Sequence, residues 1–291
     1  MSSLLTKSKW LELSPKLKYV LSDCDGVLWN GDCAIPGARE FIATLRKDGK
    51  RVCFVTNNST KTREQILEKC TKMKFGTSLE DVYGTAYATA AYLKMLGVGS
   101  VYLVGSPALH YEMTALGIRS TGLGPDELGG NWNSWLSIKL EDGIQAVVAG
   151  FDEHFSLAKV CRAASYLRNP DCHFIVTNRD QSLPSERKDL VLPGTGCIIS
   201  SLETAAGRPP IVVGKPYPTM IELLKKQFPD LDPENTLFIG DRLNTDIELG
   251  RRQGFKTLLV ETGVHNRKDI DPLKAPTYYV PSLNDLYGYM Q

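Results

Sequence analysis

The stretch 19–31 constrains this chain more than any other: Tyr19-Val20-Leu21-Ser22-Asp23-Cys24-Asp25-Gly26-Val27-Leu28-Trp29-Asn30-Gly31. Its short apolar run reads as a buried strand of a parallel sheet, bounded upstream by Ser14-Pro15 and downstream by Gly26. The strand delivers Asp23 and Asp25 to its carboxyl end, where open α/β sheets place their ligands. Two carboxylates this close repel each other unless a cation or a shared proton intervenes. A strand followed by a turn needs only Asp25-Gly26. Asp23 is then an acidic group in excess of what the turn requires.

The order of the elements points to a doubly wound, Rossmann-like α/β core. Ala38, Phe41, Ile42 and Leu45 form the apolar stripe of a helix that Pro36 can start and Gly49 can stop. A second continuous apolar strand at 52–55 ends in Thr56-Asn57-Asn58-Ser59. The next helix has Thr62 and Gln65 as a possible capping box, with Ile66, Cys70 and Met73 on one face. Two apolar strands alternating with helices argue for a parallel sheet covered on both sides.

Near residue 85 a new series begins. Helices are expected at 86–96, 108–116, 157–167 and 201–206, and strands at 101–104, 146–149 and 174–177. The run 211–213 is expected to resume the first sheet, followed by a helix around Met220, Leu223, Leu224 and Phe228 and a strand at 236–239. A short helix at 246–254, a strand at 257–260 and an edge strand at 278–280 close the chain. At the start, 1–18 reads as a helix or arm docking through Trp10, Leu11 and Leu13. The simplest organisation is a core of 1–85 and 208–291 carrying an inserted α/β cap at 86–207. Gly129-Gly130-Asn131-Trp132-Asn133-Ser134-Trp135 reads as a loop with its own packing or a surface for a partner.

Four stretches carry a family resemblance. Asp23-Cys24-Asp25-Gly26-Val27-Leu28-Trp29 resembles the first motif of the haloacid-dehalogenase-type phosphatases, and Val52-Cys53-Phe54-Val55-Thr56-Asn57-Asn58-Ser59 the second. Val213-Gly214-Lys215-Pro216 is similar to the third, and Gly240-Asp241-Arg242-Leu243-Asn244-Thr245-Asp246 to the fourth. The likeness covers nearly the whole chain and looks most like the para-nitrophenylphosphatase, phosphoglycolate phosphatase and pyridoxal phosphatase (chronophin) branch. It implies a large cap between the second and third motifs. It also implies Mg²⁺ held by the Asp23 side chain, the Asp25 backbone carbonyl and the Asp241 side chain. Asp246 then fixes Lys215 or supports the metal from outside its ligand shell, and two subunits pair through the cap.

These residues suit that chemistry. If the strands are neighbours, Asp241 faces Asp23 and Asp25, and an oxygen-only site of this kind suits Mg²⁺ better than Ca²⁺. Asp23 would attack phosphorus and become an aspartyl phosphate. Asp25 would protonate the leaving alcohol and then deprotonate the hydrolytic water. Thr56, Asn57, Asn58 and local backbone N–H groups could bind the phosphate, although Asn57-Asn58-Ser59 is also an ordinary turn and helix cap. Lys215, between Gly and Pro at a strand end, would be the counter-charge.

Substrate choice is expected in the cap. Thr177-Asn178-Arg179-Asp180 ends a cap strand, and Arg179 and Asp180 either contact the leaving group or pair with each other. The pyridoxal-phosphate members carry an aromatic residue and a histidine shortly after the matching Arg-Asp, where this chain has Gln181-Ser182-Leu183-Pro184. That departure tilts the expectation toward 2-phosphoglycolate, with pyridoxal phosphate as the alternative and para-nitrophenyl phosphate as an artificial substrate. A phosphotransferase of the same fold and a non-enzymatic scaffold using Trp132 and Trp135 are the other classes considered. The intact polar set argues against a scaffold.

Composition removes other classes. A net charge of +1 gives no field for nucleic acid or an anionic membrane, and no apolar run reaches the length of a membrane span. Seven cysteines without CxxC pairing read as reduced, small apolar residues of a cytoplasmic protein. Four histidines without ligand spacing speak against a histidine-based zinc site. Cys24, between the two aspartates, reads as structural, with its side chain on the opposite face of the strand.

Overall fold

A computed structural model describes residues 2–128, 132–183, 187 and 189–291. Gly129, Gly130 and Asn131 of the Gly-Trp loop, and Pro184 after the Arg-Asp stretch, lie outside the described residues. The chain divides into two compact units, each built on its own sheet.

The first unit comprises Met1–Thr56, Arg63–Tyr83 and Lys215–Gln291. Its seven-stranded sheet runs in the order Ser3–Leu4, Tyr278–Val280, Lys256–Val260, Thr236–Gly240, Tyr19–Ser22, Arg51–Thr56 and Val82–Gly84. Pairing is parallel from Ser3–Leu4 through Arg51–Thr56. The central strands are buried throughout, as continuous apolar runs require when both faces are covered. From Tyr19–Ser22 the chain winds to one side through Arg51–Thr56, and after Lys215 to the other through Thr236–Gly240. The crevice at this change of direction is where doubly wound sheets bind ligands.

The helix Ala38–Lys47 buries the four residues of the expected stripe, all with 0% exposure. They join Trp10, Val20, Val52, Leu283 and Leu286 in one core. Gly37 starts this helix at φ +76°, and a Cβ there would lie 2.4 Å from the Asn284 backbone, so only glycine fits. The N-terminal helix Lys7–Leu13 docks through Trp10 and Leu13, with Trp10 against Phe41 at 5.7 Å. Leu11 is 58% exposed and takes no part, contrary to expectation, because it falls on the helix's solvent side. The edge strand is Ser3–Leu4, which pairs outside Tyr278–Val280.

The second unit comprises Asn57–Thr62 and Gly84–Gly214. Its five-stranded parallel sheet runs Ile211–Val212, His173–Val176, Ala146–Ala149, Ser100–Val104 and Arg119–Thr121. Ile211–Val212 therefore belongs to this sheet and does not resume the first one. Ile175 and Val176 offer it a free parallel edge in register. The expected helix at 201–206 begins earlier, as Thr195–Ala206. Gly194 and Gly196 accept the backbone of 179–182 so closely that a Cβ would stand 2.3 Å and 2.9 Å from carbonyl oxygens. Trp132–Ser137 forms a short helical turn, in which Trp132 is 64% exposed and Trp135 half-buried. All seven cysteines are free, and among the described residues no helix is long and apolar enough to cross a membrane.

Candidate active site

The site is built from strand ends of the first unit. Ile239 pairs with Ser22 and Ser22 with Phe54, so Asp23, Gly240-Asp241 and Val55-Thr56 emerge side by side. The Asp23 N–H donates to the Ile239 carbonyl at 2.9 Å, extending the pairing to the acidic residue itself. Carboxylate oxygens of Asp23, Asp241 and Asp246 come within 4.8 Å of one another, and all three residues are buried.

Lys215 lies 2% exposed among them. Its Nζ is 2.8 Å from Asp23 Oδ1, 2.8 Å from Asp246 Oδ1 and donates to the Val55 carbonyl at 2.9 Å. Burial opposes its charge, but the Asp23 and Asp246 carboxylates outweigh that cost and hold the ammonium above its ordinary pKa. Asp23 Oδ1 also accepts the Cys24 N–H at 2.7 Å. Burial and then the charge of Asp246 push Asp23 up to about 6 despite Lys215. Asp246 is locked by the Arg242 N–H at 3.0 Å, and its Cβ leaves no room for a side chain at Gly240.

Asp25 occupies a different environment. Its Oδ1 accepts the indole N–H of Trp29 at 2.9 Å, and burial, followed by Asp23, raises its pKa. Cys24 packs into the core, and burial with the neighbouring Asp23 drives its thiol well up, which fits a structural and unreactive cysteine.

Asp241 is held by a loop that the sequence reading left without a role. Its Oδ2 accepts the Val264 N–H at 2.7 Å, its carbonyl accepts the His265 N–H at 3.1 Å, and Thr262 Oγ1 donates to the Gly26 carbonyl at 2.6 Å. A Cβ at Gly263 would stand 2.0 Å from Asp241 Oδ2, and one at Gly26 2.5 Å, so both glycines admit the carboxylate. The other oxygen, Oδ1, is buried without a hydrogen-bond partner among the described residues. Burial, then Asp246 and Asp23, push Asp241 up to about 8. A buried carboxylate oxygen without a donor, facing other carboxylates, fits a small hard divalent cation.

The remaining predicted residues divide between the units. Thr56 is buried at the end of its strand beside the Val55–Lys215 contact. Asn57 and Asn58 belong to the second unit. There the Asn57 carbonyl accepts from Thr85 Oγ1 at 2.7 Å and Asn178 Nδ2 at 2.8 Å, and its own Nδ2 donates to Asp180 Oδ1 at 3.1 Å. Asn58 Oδ1 accepts the Thr60 N–H at 2.8 Å, the turn that its residue type favours. Arg179 has a carboxylate partner other than Asp180. It bonds Glu203 at 2.9 Å, because the helix Thr195–Ala206 brings that carboxylate alongside.

Sequence reasoning gave Gly26 only a turn and gave no role to Trp29, Thr262, Gly263 or Val264. The signal available was a glycine shortly after an apolar strand, at Gly263 beyond Lys256–Val260, which repeats the logic of Gly26.

Residues 20–119 match the haloacid dehalogenase-like hydrolase family, and 212–286 match a HAD-hydrolase-like family. Over 299 aligned residues the chain is 41% identical to the glycerol-3-phosphate phosphatase of Rattus norvegicus, covering 96% of this chain and 92% of that one. Over 281 residues it is 38% identical to chronophin of Bos taurus, covering 92% and 91%. Among solved structures it is similar to the p-nitrophenyl phosphatase of Archaeoglobus fulgidus, with TM-score 0.81, 27% identity and coverage of 94% and 99%. It is also similar to a glycerol phosphate phosphatase of Mycobacterium tuberculosis in complex with magnesium, with TM-score 0.78, 28% identity and coverage of 94% and 77%. Phosphatases of this family use a divalent metal, in keeping with the donor set around Asp241. The chain therefore belongs to the haloacid dehalogenase-like hydrolases and is a phosphatase of the branch that includes glycerol-3-phosphate phosphatase, chronophin and the para-nitrophenylphosphatases.

Proposed function

We propose that this phosphatase hydrolyses small phosphomonoesters with Mg²⁺ through a phosphorylated Asp23, and that glycerol 3-phosphate is its best natural ester. The observation that carries the mechanism is the division of labour among the carboxylates. Asp23 Oδ1 is fixed by Lys215 and the Cys24 N–H, which leaves Oδ2 to attack phosphorus. Asp25 is kept apart by Trp29 and has a raised pKa, the condition of a carboxyl that gives and takes a proton.

The Asp23 and Asp241 side chains and the Asp25 carbonyl would hold the metal, with Asp246 and Lys215 fixing Asp23 from behind. Bound Mg²⁺ supplies charge neutralisation for the carboxylates and the transferring phosphoryl oxygens. Asp25 protonates the ester oxygen as the bond from phosphorus to the leaving alcohol breaks and the bond to Asp23 forms. It then takes a proton from water as the water oxygen bonds phosphorus and Asp23 is released as a carboxylate. Thr56, buried at the end of its strand, would donate its hydroxyl to a phosphoryl oxygen.

Two observations favour glycerol 3-phosphate over 2-phosphoglycolate, the ester that the sequence suggested. The relative named a glycerol-3-phosphate phosphatase is 41% identical over nearly the full chain. Arg179, a cap cation that could contact the leaving group, is engaged by Glu203 at 2.9 Å, and an uncharged glycerol end needs no counter-charge where the carboxylate of 2-phosphoglycolate would.

The test is phosphate release from glycerol 3-phosphate, 2-phosphoglycolate, pyridoxal phosphate and 4-nitrophenyl phosphate, with Mg²⁺ or EDTA, by wild type and Asp23→Asn. Mg²⁺-dependent turnover that is lost in Asp23→Asn and highest on glycerol 3-phosphate supports the reading. Higher kcat/KM on 2-phosphoglycolate or pyridoxal phosphate replaces the substrate and keeps the mechanism. Full activity in Asp23→Asn overturns the mechanism.

A further inference from the structure

The chain returns on itself directly after the first motif. The Trp29 N–H and the Gly26 N–H bond the carbonyls of Cys24 and Trp29 at 3.3 Å and 2.8 Å, and Asp25 bridges to Trp29. Trp29 then opens a two-stranded hairpin, Trp29–Asn30 with Cys33–Ala34. Its ring is 3% exposed, packed edge-on against Phe75 at 5.8 Å with Lys69 Nζ 4.8 Å over its face. Backbone, hairpin and ring packing thus fix one polar atom, the indole nitrogen, at 2.9 Å from Asp25 Oδ1.

We propose that Trp29 is a positioning residue for Asp25: its indole N–H reserves Oδ1 as an acceptor, so that the proton exchanged with substrate and water is carried on Oδ2. An indole nitrogen donates and never accepts. The unprotonated oxygen is the stronger acceptor, so the contact favours Oδ1 as the carbonyl-type oxygen and Oδ2 as the place of a carboxylic acid proton on Asp25. This rests on Asp25 being the general acid and base of the proposed reaction. In the first half-reaction the Oδ2–H bond breaks and the proton joins the ester oxygen as its bond to phosphorus breaks and the bond from Asp23 to phosphorus forms. In the second, a water proton returns to Oδ2 as the water oxygen bonds phosphorus and the bond from phosphorus to Asp23 breaks, releasing its carboxylate. Without the indole N–H the carboxyl can rotate and present either oxygen, and the fraction aligned for proton transfer falls.

The consequence depends on the leaving group. Nitrophenolate departs readily without a proton, whereas phenolate and an alkoxide do not, so misplacing the acid penalises the poorer leaving groups selectively. The experiment measures kcat/KM for glycerol 3-phosphate, phenyl phosphate and 4-nitrophenyl phosphate. It compares wild type, Trp29→Phe and a protein with 3-benzothienylalanine at position 29, which has the shape of tryptophan but sulfur in place of the N–H. Both substitutions are expected to lower the ratio of either poor-leaving-group ester to the nitrophenyl ester by about tenfold or more. A purely structural role lowers all three rates alike, and an unchanged ratio in the benzothienyl protein overturns the proposal even if Trp29→Phe fails to fold. If wild type hydrolyses none of the esters, the general-acid reading fails and takes this inference with it. If wild type hydrolyses them and the ratio does not move, this inference alone fails.

Discussion

Lys215 sits between two buried carboxylates and a carbonyl, so removing it leaves Asp23 and Asp246 facing each other without a counter-charge. Breaking a buried pair from one side costs about 3–5 kcal/mol. Lys215→Met is therefore expected to lose both phosphatase activity and that much stability, measured by urea unfolding. Asp23→Asn should behave oppositely. It abolishes the nucleophile but removes one carboxylate from a cluster that already pushes Asp23 up to about 6. Its midpoint should match or exceed that of wild type while turnover vanishes, and a large fall would mean that Asp23 is chiefly structural. Asp23, Lys215 and Asp241 were legible in the sequence because residue type alone places charge at a strand end. Trp29 was not: a tryptophan four positions on reads as core, and only the tight turn brings its N–H back to Asp25. Arg179 pairing with Glu203 was illegible for a similar reason, since 24 positions separate them.

At the scale of elements, the segment after Lys256–Val260 decides whether Asp241 can bind a cation. Its Val264 N–H ties down Oδ2, and Gly263 leaves the space for that oxygen. A methyl group at Gly263 would overlap Asp241, so Gly263→Ala must displace the loop or the carboxylate. Overpacking of this kind costs roughly 1–3 kcal/mol. Here the greater effect should be on metal use, with the Mg²⁺ concentration for half-maximal activity raised by about tenfold, equivalent to roughly 1.4 kcal/mol. A Mg²⁺ titration of Gly263→Ala with an unchanged midpoint would remove this loop from the metal site. Long elements were legible because their periodicity repeats: the stripe of Ala38–Lys47 and the buried strand Thr236–Gly240 fall as expected. Two-residue strands carry no period to read. Ser3–Leu4, Trp29–Asn30 and Cys33–Ala34 went unrecognised, and Ile211–Val212 was assigned to the wrong sheet although its apolar character was plain.

For the molecule as a whole, the carboxylate cluster couples stability to pH and to metal. Asp241 starts from an ordinary value of 3.8 in the unfolded chain and stands at about 8 in the cation-free fold, with Asp23 at about 6. Between these values the folded chain binds more protons than the unfolded chain, so stability falls as pH rises from about 4 to about 8 and levels off above. A divalent cation binds the ionised carboxylates of the folded state and not the unfolded chain, so it restores most stability where the cluster is most ionised. EDTA-treated protein should therefore melt lower at pH 8 than at pH 6, and Mg²⁺ should raise the midpoint more at pH 8. At about 100 times its dissociation constant the gain is roughly 2.7 kcal/mol, a rise of roughly 4–5 °C for a chain of this size. Asp241→Asn should flatten the pH slope and abolish most of the Mg²⁺ shift, because it removes both the raised carboxyl and the oxygen without a donor. Scanning calorimetry at the two pH values, with Mg²⁺ and with EDTA, separates the causes. A Mg²⁺ shift equal at both pH values, or preserved in Asp241→Asn, would place the cation elsewhere than beside Asp241.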